Sequence, residues 1–286
     1  MNGNFMKISL LTDAPRHNLA LMKISTMHKE RGDEIMLNAP IFPADYTYAS
    51  ILFEKNTDKF IADLYGGPAI KDSVLPLKMD DYFMPDYDLF NLNYSLGYTF
   101  RPCYNSCDFC KVPKFNHPDT DHHSIWEFHD TKFNTICLLN NNTFQDPQWK
   151  ETFEEIWDED LFVIDENGYD LRLLNDEKTA ALKKTKFISK LHFAWDRMQD
   201  EPLILEGLKL LRKHKISGSR VYVLIGYNTT QEQDIYRCQT IVENKQDPYI
   251  MPYKRTKPNR AFKRFIDSFM WRKYKTIKAA WLDYAA

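Results

Sequence analysis

Cysteine is scarce in this chain, with five residues among 286. A disulfide framework normally uses an even number of cysteines in a short secreted chain, and this chain is neither short nor even-numbered. Long apolar runs are missing as well: nothing approaches the ~18 consecutive apolar residues of a membrane span. The opening residues, MNGNFMKISLLTDAP, contain no extended apolar stretch or small-residue cleavage site of the signal-peptide kind. Charge of one sign is not in excess either, since 38 Lys and Arg stand against 40 Asp and Glu, a formal net charge of −2. That balance argues against a chain that binds polyanions throughout, while leaving room for a local basic patch. Together these absences predict a soluble globular protein of a reducing, cytoplasmic setting with no membrane partner.

The few cysteines are unevenly placed. Cys103, Cys107 and Cys110 fall within eight positions of the polar stretch RPCYNSCDFCKVPKF, residues 101–115. Cys137 in TICLL and Cys238 in YRCQT read as small buried hydrophobes instead.

The apolar pattern predicts an α/β protein in three parts. In residues 1–94, MKISLLTD is a buried strand and NLALMKISTMHKERG a helix with Leu19, Met22, Ile24 and Met27 on one face. DEIMLN is a second strand, so the sheet is parallel with a right-handed crossover. This part reads as a small Rossmann-like α/β domain, with KFIADLYGGPAI running into a glycine turn and DDYFMPDYDLF as the connection onward. In residues 95–253 the strand candidates are LGYTF, NTICLL, YDLRLL, SKLHFAW, RVYVLIGY and DPYIMPY. Helical stretches lie between several of them: WKETFEEIWDED, DEKTAALKKT, DEPLILEGLKLLRKHK and QEQDIYRCQTIVEN. Six such units suggest a partial (βα)6 TIM-like barrel, whose functional residues gather in the loops after the strands. The cysteine loop follows the first of those strands. Residues 254–286 form a basic, aromatic, helical C-terminal segment.

The cysteine pattern is C-x-x-x-C-x-x-C, with Phe109 just before the last cysteine. Three thiolates on one tight loop can face a common centre. Zinc normally takes four ligands in a closed site, and His117, His122, His123 and His129 are the nearest fourth donors. An iron–sulfur cluster with one iron left open fits the ligand count equally well.

CYNSCDFC, following a strand that opens a six-unit barrel, resembles the radical S-adenosylmethionine (SAM) enzymes, whose motif is C-x-x-x-C-x-Φ-C with Φ aromatic. LGYTFRPCYNSCDFCKVPK, LLNNNTFQDPQW, YDLRLLNDEKTAALKK, LHFAWD, VLIGYNTTQEQD and PYIMPYK are similar to successive strand ends in the subgroup with an N-terminal cobalamin-binding-like domain. The resemblance covers nearly the whole chain. It implies that Cys103, Cys107 and Cys110 bind three irons of a [4Fe–4S] cluster and that SAM chelates the fourth. It further implies reductive cleavage of SAM to methionine and a 5′-deoxyadenosyl radical that abstracts hydrogen from substrate, with a low-potential electron donor as partner. Phe109 would shield the cluster. Asn140 and Asn142 stand where the family has Gly-Gly-Glu, and their amide oxygens or backbone carbonyls would accept from the SAM ammonium. Arg172 would pair with the SAM carboxylate, Asp196 would contact ribose hydroxyls, and Asn228 with Thr229 would make the fifth-strand contact. Each has a structural counterpart: a turn for the asparagines, an ion pair for Arg172, a helix cap for Asp196.

Relatives that bind cobalamin carry Asp-x-His-x-x-Gly in the first domain. Neither DAPRHN, with Asp13 and His17, nor MHKERG, with His28, matches it. The resemblance therefore implies a degenerate domain that does not bind cobalamin. At the other end, Lys254, Arg255, Lys257, Arg260, Lys263, Arg264, Arg272, Lys273, Lys275 and Lys278 alternate with Phe262, Phe265, Phe269, Trp271 and Tyr274. Basic charge with aromatics can track a phosphate backbone, which makes nucleic acid or a nucleotide-derived compound the leading substrate class. The alternative for the aromatics is an amphipathic helix with Phe262, Phe265, Ile266 and Phe269 facing inward. A peptide substrate is the second enzymatic reading, and a non-catalytic zinc or iron–sulfur binding module the non-enzymatic one.

Overall fold

Lys7–Thr12 (β1) is buried on both faces beyond its first residue, as the central strand of a parallel sheet must be. The computed structural model describes residues 5–70, 83–112 and 119–285. It divides into two compact units, the first comprising Met1–Asn140 with Glu159–Leu161 and the second Asn141–Asp158 with Phe162–Ala286. Both are mixed α/β with parallel strands.

In the first unit β1 continues into the helix Leu19–Glu30 (α1), started by the Asn18 side chain accepting from the N–H of Leu21. Leu21, Met22, Ile24 and Met27 are buried, and Leu19 is half-buried. Glu34–Leu37 (β2) and Tyr46–Ser50 (β3) flank β1 in parallel, and Leu64–Gly66 (β4) extends the sheet in the order β2-β1-β3-β4. The β1–α1–β2 unit matches the sequence expectation. β3, TYAS-containing and mostly half-buried, carries no apolar run and was not anticipated. The expected connection is partly packed: Tyr87 is buried, and the Asp86 carboxylate takes the Ser25 hydroxyl at 2.6 Å and Lys29 at 2.7 Å. Ser95–Gly97 (β5) then pairs in parallel with Thr135–Leu138 (β6). Cys137 is buried within β6.

The second unit contains Trp149–Asp158 (α2), Phe162–Asp165 (β7), Asp176–Lys184 (α3), Lys186–Phe187 (β8), His192–Ala194 (β9) and Glu201–Lys213 (α4). Arg220–Ile225 (β10), Gln231–Glu243 (α5), Asp247–Pro252 (β11), Lys257–Asp267 (α6) and Ile277–Ala285 (α7) complete it. β7 pairs with β8, and β10 lies between β9 and β11, all in parallel. One large apolar cluster runs from Phe144 to Trp281 and includes Cys238. Here the sequence reading of YDLRLL as a strand is corrected. Tyr169 makes a single parallel bridge to Phe193, and Leu171–Leu173 form a 3-10 turn. The Asp170 side chain caps that turn, and helix α4 closes over it at Gly207, where a Cβ would lie 2.4 Å from the Leu171 carbonyl oxygen. Hence the strand lies earlier, at β7.

The basic C-terminal segment is helical, as the sequence suggested, and Phe262, Phe265 and Ile266 are buried on α6. Trp281 of α7 packs edge-to-face on Phe262 and tilted against Phe265, with ring centroids 5.0 and 5.3 Å apart. Phe269 departs from the expectation: it lies past the end of α6 with φ of 57° and is exposed. Among the described residues no helix is long and apolar enough to cross a membrane.

Candidate functional site

The chain leaves β5 through Thr99, Phe100 and Arg101 and enters the cysteine loop directly. Asn140, just beyond β6, holds that exit. Its Oδ1 accepts the N–H groups of Thr99 at 2.9 Å and Phe100 at 3.1 Å, and its Nδ2 donates to the Thr99 hydroxyl at 2.8 Å. The returning stem is tied to the same place, since the His123 N–H donates to the Thr99 carbonyl at 2.8 Å. The His123 ring bridges two carboxylates, Asp119 at 2.9 Å and Glu127 at 2.8 Å, while Arg101 Nε lies 3.7 Å from Asp119. Burial alone would lower the His123 pKa, but these two carboxylates raise it above the usual value.

Within the loop a tight turn sets the second and third cysteines together, with the Cys110 N–H donating to the Cys107 carbonyl at 2.9 Å. The Val112 N–H points at Cys110 Sγ, 3.4 Å away. All three cysteines are half-buried and none is in a disulfide, and Phe109, the residue before Cys110, is half-buried as well. In an iron–sulfur cluster each thiolate takes its own iron, so three cysteine sulfurs would not need to meet at one atom. A zinc ion requires its ligands at a single point, about 2.3 Å from each sulfur. Among the described residues no three His, Cys, Asp or Glu side chains are so arranged. Of the fourth donors suggested for zinc, His123 holds the two carboxylates above and His129 is buried with its Nδ1 against the Ser95 hydroxyl at 3.1 Å. His117 lies outside the described residues.

Four of the predicted SAM contacts belong to the second unit. Asn142 is buried; its Nδ2 donates to Asp170 at 3.3 Å, while its Oδ1 is buried with no partner. A buried carbonyl oxygen without a donor is costly, by about 1–3 kcal/mol, and Asn142 Oδ1 shares this state with Asn56 Oδ1 among the described residues. Arg172 is an ion-pair residue first. Its Nε and one terminal nitrogen grip Asp170 at 2.8 and 2.7 Å, and the other terminal nitrogen reaches Asp200 at 3.2 Å. Arg197 completes the network on Asp200 at 3.0 Å. The structural reading of Arg172 is the one the geometry supports, with Asn142 oriented through Asp170.

Asp196 follows β9 and Asn228 follows β10, neighbouring parallel strands, so both emerge at the same end of the sheet. Asp196 caps no helix: the residue preceding α4 is Asp200, whose side chain makes no capping bond. Burial pushes the Asp196 carboxyl up to about 6, against the opposing pull of Arg237 and Arg172. Asn228 is exposed, in the left-handed region at φ of 49°.

Three contributors escaped the sequence reading. Arg237, fully buried on α5, donates to the carbonyls of Trp195 at 2.6 Å and Leu224 at 2.8 Å and pairs with Asp234 at 2.6 Å. It thereby clamps the ends of β9 and β10 beneath Asp196. Its i,i+3 acid was visible in DIYR, but burial was not. Asp165 ends β7 with its carboxylate accepting from Gly168 N–H at 2.8 Å, and burial pushes it up to about 7. Asp170 was the third; its place two residues before Arg172 in YDLR was the available signal.

Comparison of the chain with protein-family models, with curated proteins and with solved structures returns no match to any of them.

Proposed function

We propose that this protein is a radical SAM enzyme built on a partial (βα)6 barrel, and that it acts on a nucleic acid or a nucleotide-derived compound. The observation that carries this reading is the C-x-x-x-C-x-Φ-C loop itself: three half-exposed thiols, kept out of disulfides, on a stem pinned directly after a parallel strand. In this reading Cys103, Cys107 and Cys110 hold a [4Fe–4S] cluster. When bound, the cluster supplies the low-potential electron that cleaves SAM reductively.

The rest is the work of the chain. Asn140 fixes the direction in which the loop leaves β5 and is a positioning residue. Asn142 Oδ1 accepts from the ammonium of SAM, which satisfies its orphaned lone pairs. Arg172 steadies Asn142 by holding Asp170 in place. Asp196, at the mouth of β9, accepts from ribose hydroxyls while ionised, so the contact strengthens above pH of about 6. The exposed cations of residues 254–286 support the choice of substrate class.

The test is anaerobic reconstitution with iron and sulfide, reduction with dithionite in the presence of SAM, and assay for 5′-deoxyadenosine. Cluster-dependent product is expected, with product and bound iron both lost in Cys107→Ala. Zinc without iron, under conditions that load known clusters, overturns the proposal.

A further inference from the structure

A concavity of about 550 Å³ on the second unit is lined by Lys209, Arg212, Lys213, Lys215, Ile216, Ser217 and Lys245. It lies where the chain turns from α4 into β10 and from α5 into β11, joined by the Gly218 N–H donating to the Lys245 carbonyl at 2.8 Å. That is the starting end of the strands. The ends from which Asp196 and Asn228 emerge lie a strand away, about 20 Å for six residues.

Five cations line this cleft, and two are matched by acids: Lys209 by Glu206 and Lys213 by Asp176, each at 2.6 Å. Arg212, Lys215 and Lys245 have no carboxylate partner among the described residues and are exposed. One bland explanation is that they only offset the negative ends of α4 and α5. Two helix ends amount to about one negative charge together. Five cations less two acids less that one charge still leave about +2 in one concavity. The excess extends beyond it, because Lys190 and Arg272 both reach Asp247 at the start of β11, at 2.7 and 2.8 Å. Two cations there share one acid, and exposed Lys273 follows.

We propose that this face is a docking site for the phosphodiester backbone of a nucleic acid, separate from the face carrying Asp196. The lining holds no aromatic ring on which a base could stack, so recognition is of phosphates and independent of sequence. The positive charge continues past the cleft, which calls for a ligand with repeated negative charges. Its one apolar lining residue, Ile216, is buried, so nothing offers insertion into a lipid surface. The inference rests on charge geometry and holds whether or not the cysteine loop carries a cluster.

The experiment is fluorescence anisotropy of a labelled single-stranded oligonucleotide of mixed sequence, titrated with the full chain across a range of salt concentrations. Binding is expected to weaken at least tenfold in the triple variant Arg212→Gln, Lys215→Gln, Lys245→Gln. The slope of log K against log salt should fall by about 2, at ~0.7 per lost contact for a single strand. The paired variant Lys209→Gln, Lys213→Gln should change both less. Unchanged affinity and slope in a triple variant that melts like the parent overturns the proposal. So does preference for anionic phospholipid vesicles over the oligonucleotide, or full competition by equimolar inorganic phosphate.

Discussion

Around Thr99 the chain is held by side-chain hydrogen bonds from Asn140, the backbone of His123 and the acids that flank it. Around Phe265 it is held by rings, with Phe262, Trp281 and Tyr284 packed on it. The first unit has small apolar clusters, such as Ile8, Leu10, Leu21 and Ile24, while the second has one that runs the length of the unit. The cysteine loop is only half-buried, so directional polar contacts at its base are the available means of fixing it. Packing suits the strands and helices of the other unit, which need only be excluded from water.

The largest effect that would sharpen this contrast is in the packed unit. Phe265→Ala should cost about 3–5 kcal/mol in chemical denaturation, with little change in how much iron the cysteine loop takes up. Iron loading that fell in step with stability would show that the units do not separate in this way. Next, Asn140→Ala strands two buried N–H groups and should cost roughly 2 kcal/mol. It should also cut iron loading, whereas Asn140→Asp, which keeps the accepting oxygen, should restore most of both. Equal loading in parent and Asn140→Ala would remove the loop-positioning role.

The smallest effect is in pH dependence. The folded pKa of His123 is raised, so the stability it contributes is present below the ordinary 6.5 and is lost as pH rises through the raised value. Asp165 also has a raised folded pKa, so the folded state holds a proton that the unfolded state has released. Stability from it therefore declines as pH climbs from 3.8 to about 7. Asp165→Asn should flatten the melting temperature over that acidic window, and His123→Gln should flatten it only above. An unaltered profile in both variants would dissociate these groups from stability.

Some of this architecture was open to reading from residues alone. The β1–α1–β2 succession follows from an apolar run, a helical face and a second run. The four helices from Trp149 to Glu243 lie almost where their spacing put them. YDLRLL failed because its apolar and aromatic content resembles a strand, yet Asp170 caps a 3-10 turn there and α4 covers it. Asn140 and Arg172 are named from the sequence for ligand contact, and in the structure each also holds a distant piece of chain. Their partners, Thr99 and Asp200, sit 41 and 28 residues away.

The cysteine spacing, the amphipathic face of α6 and the alternation of strands with helices are local properties, carried by neighbours in the chain, and the sequence was enough for them. Which asparagines have their side-chain carbonyls buried without a donor, which arginine disappears under β9 and β10, and which cations lack an acid were decided by folding alone. Burial and hydrogen-bond partnership are set by residues brought together from far along the chain, and no spacing within a single segment encodes them.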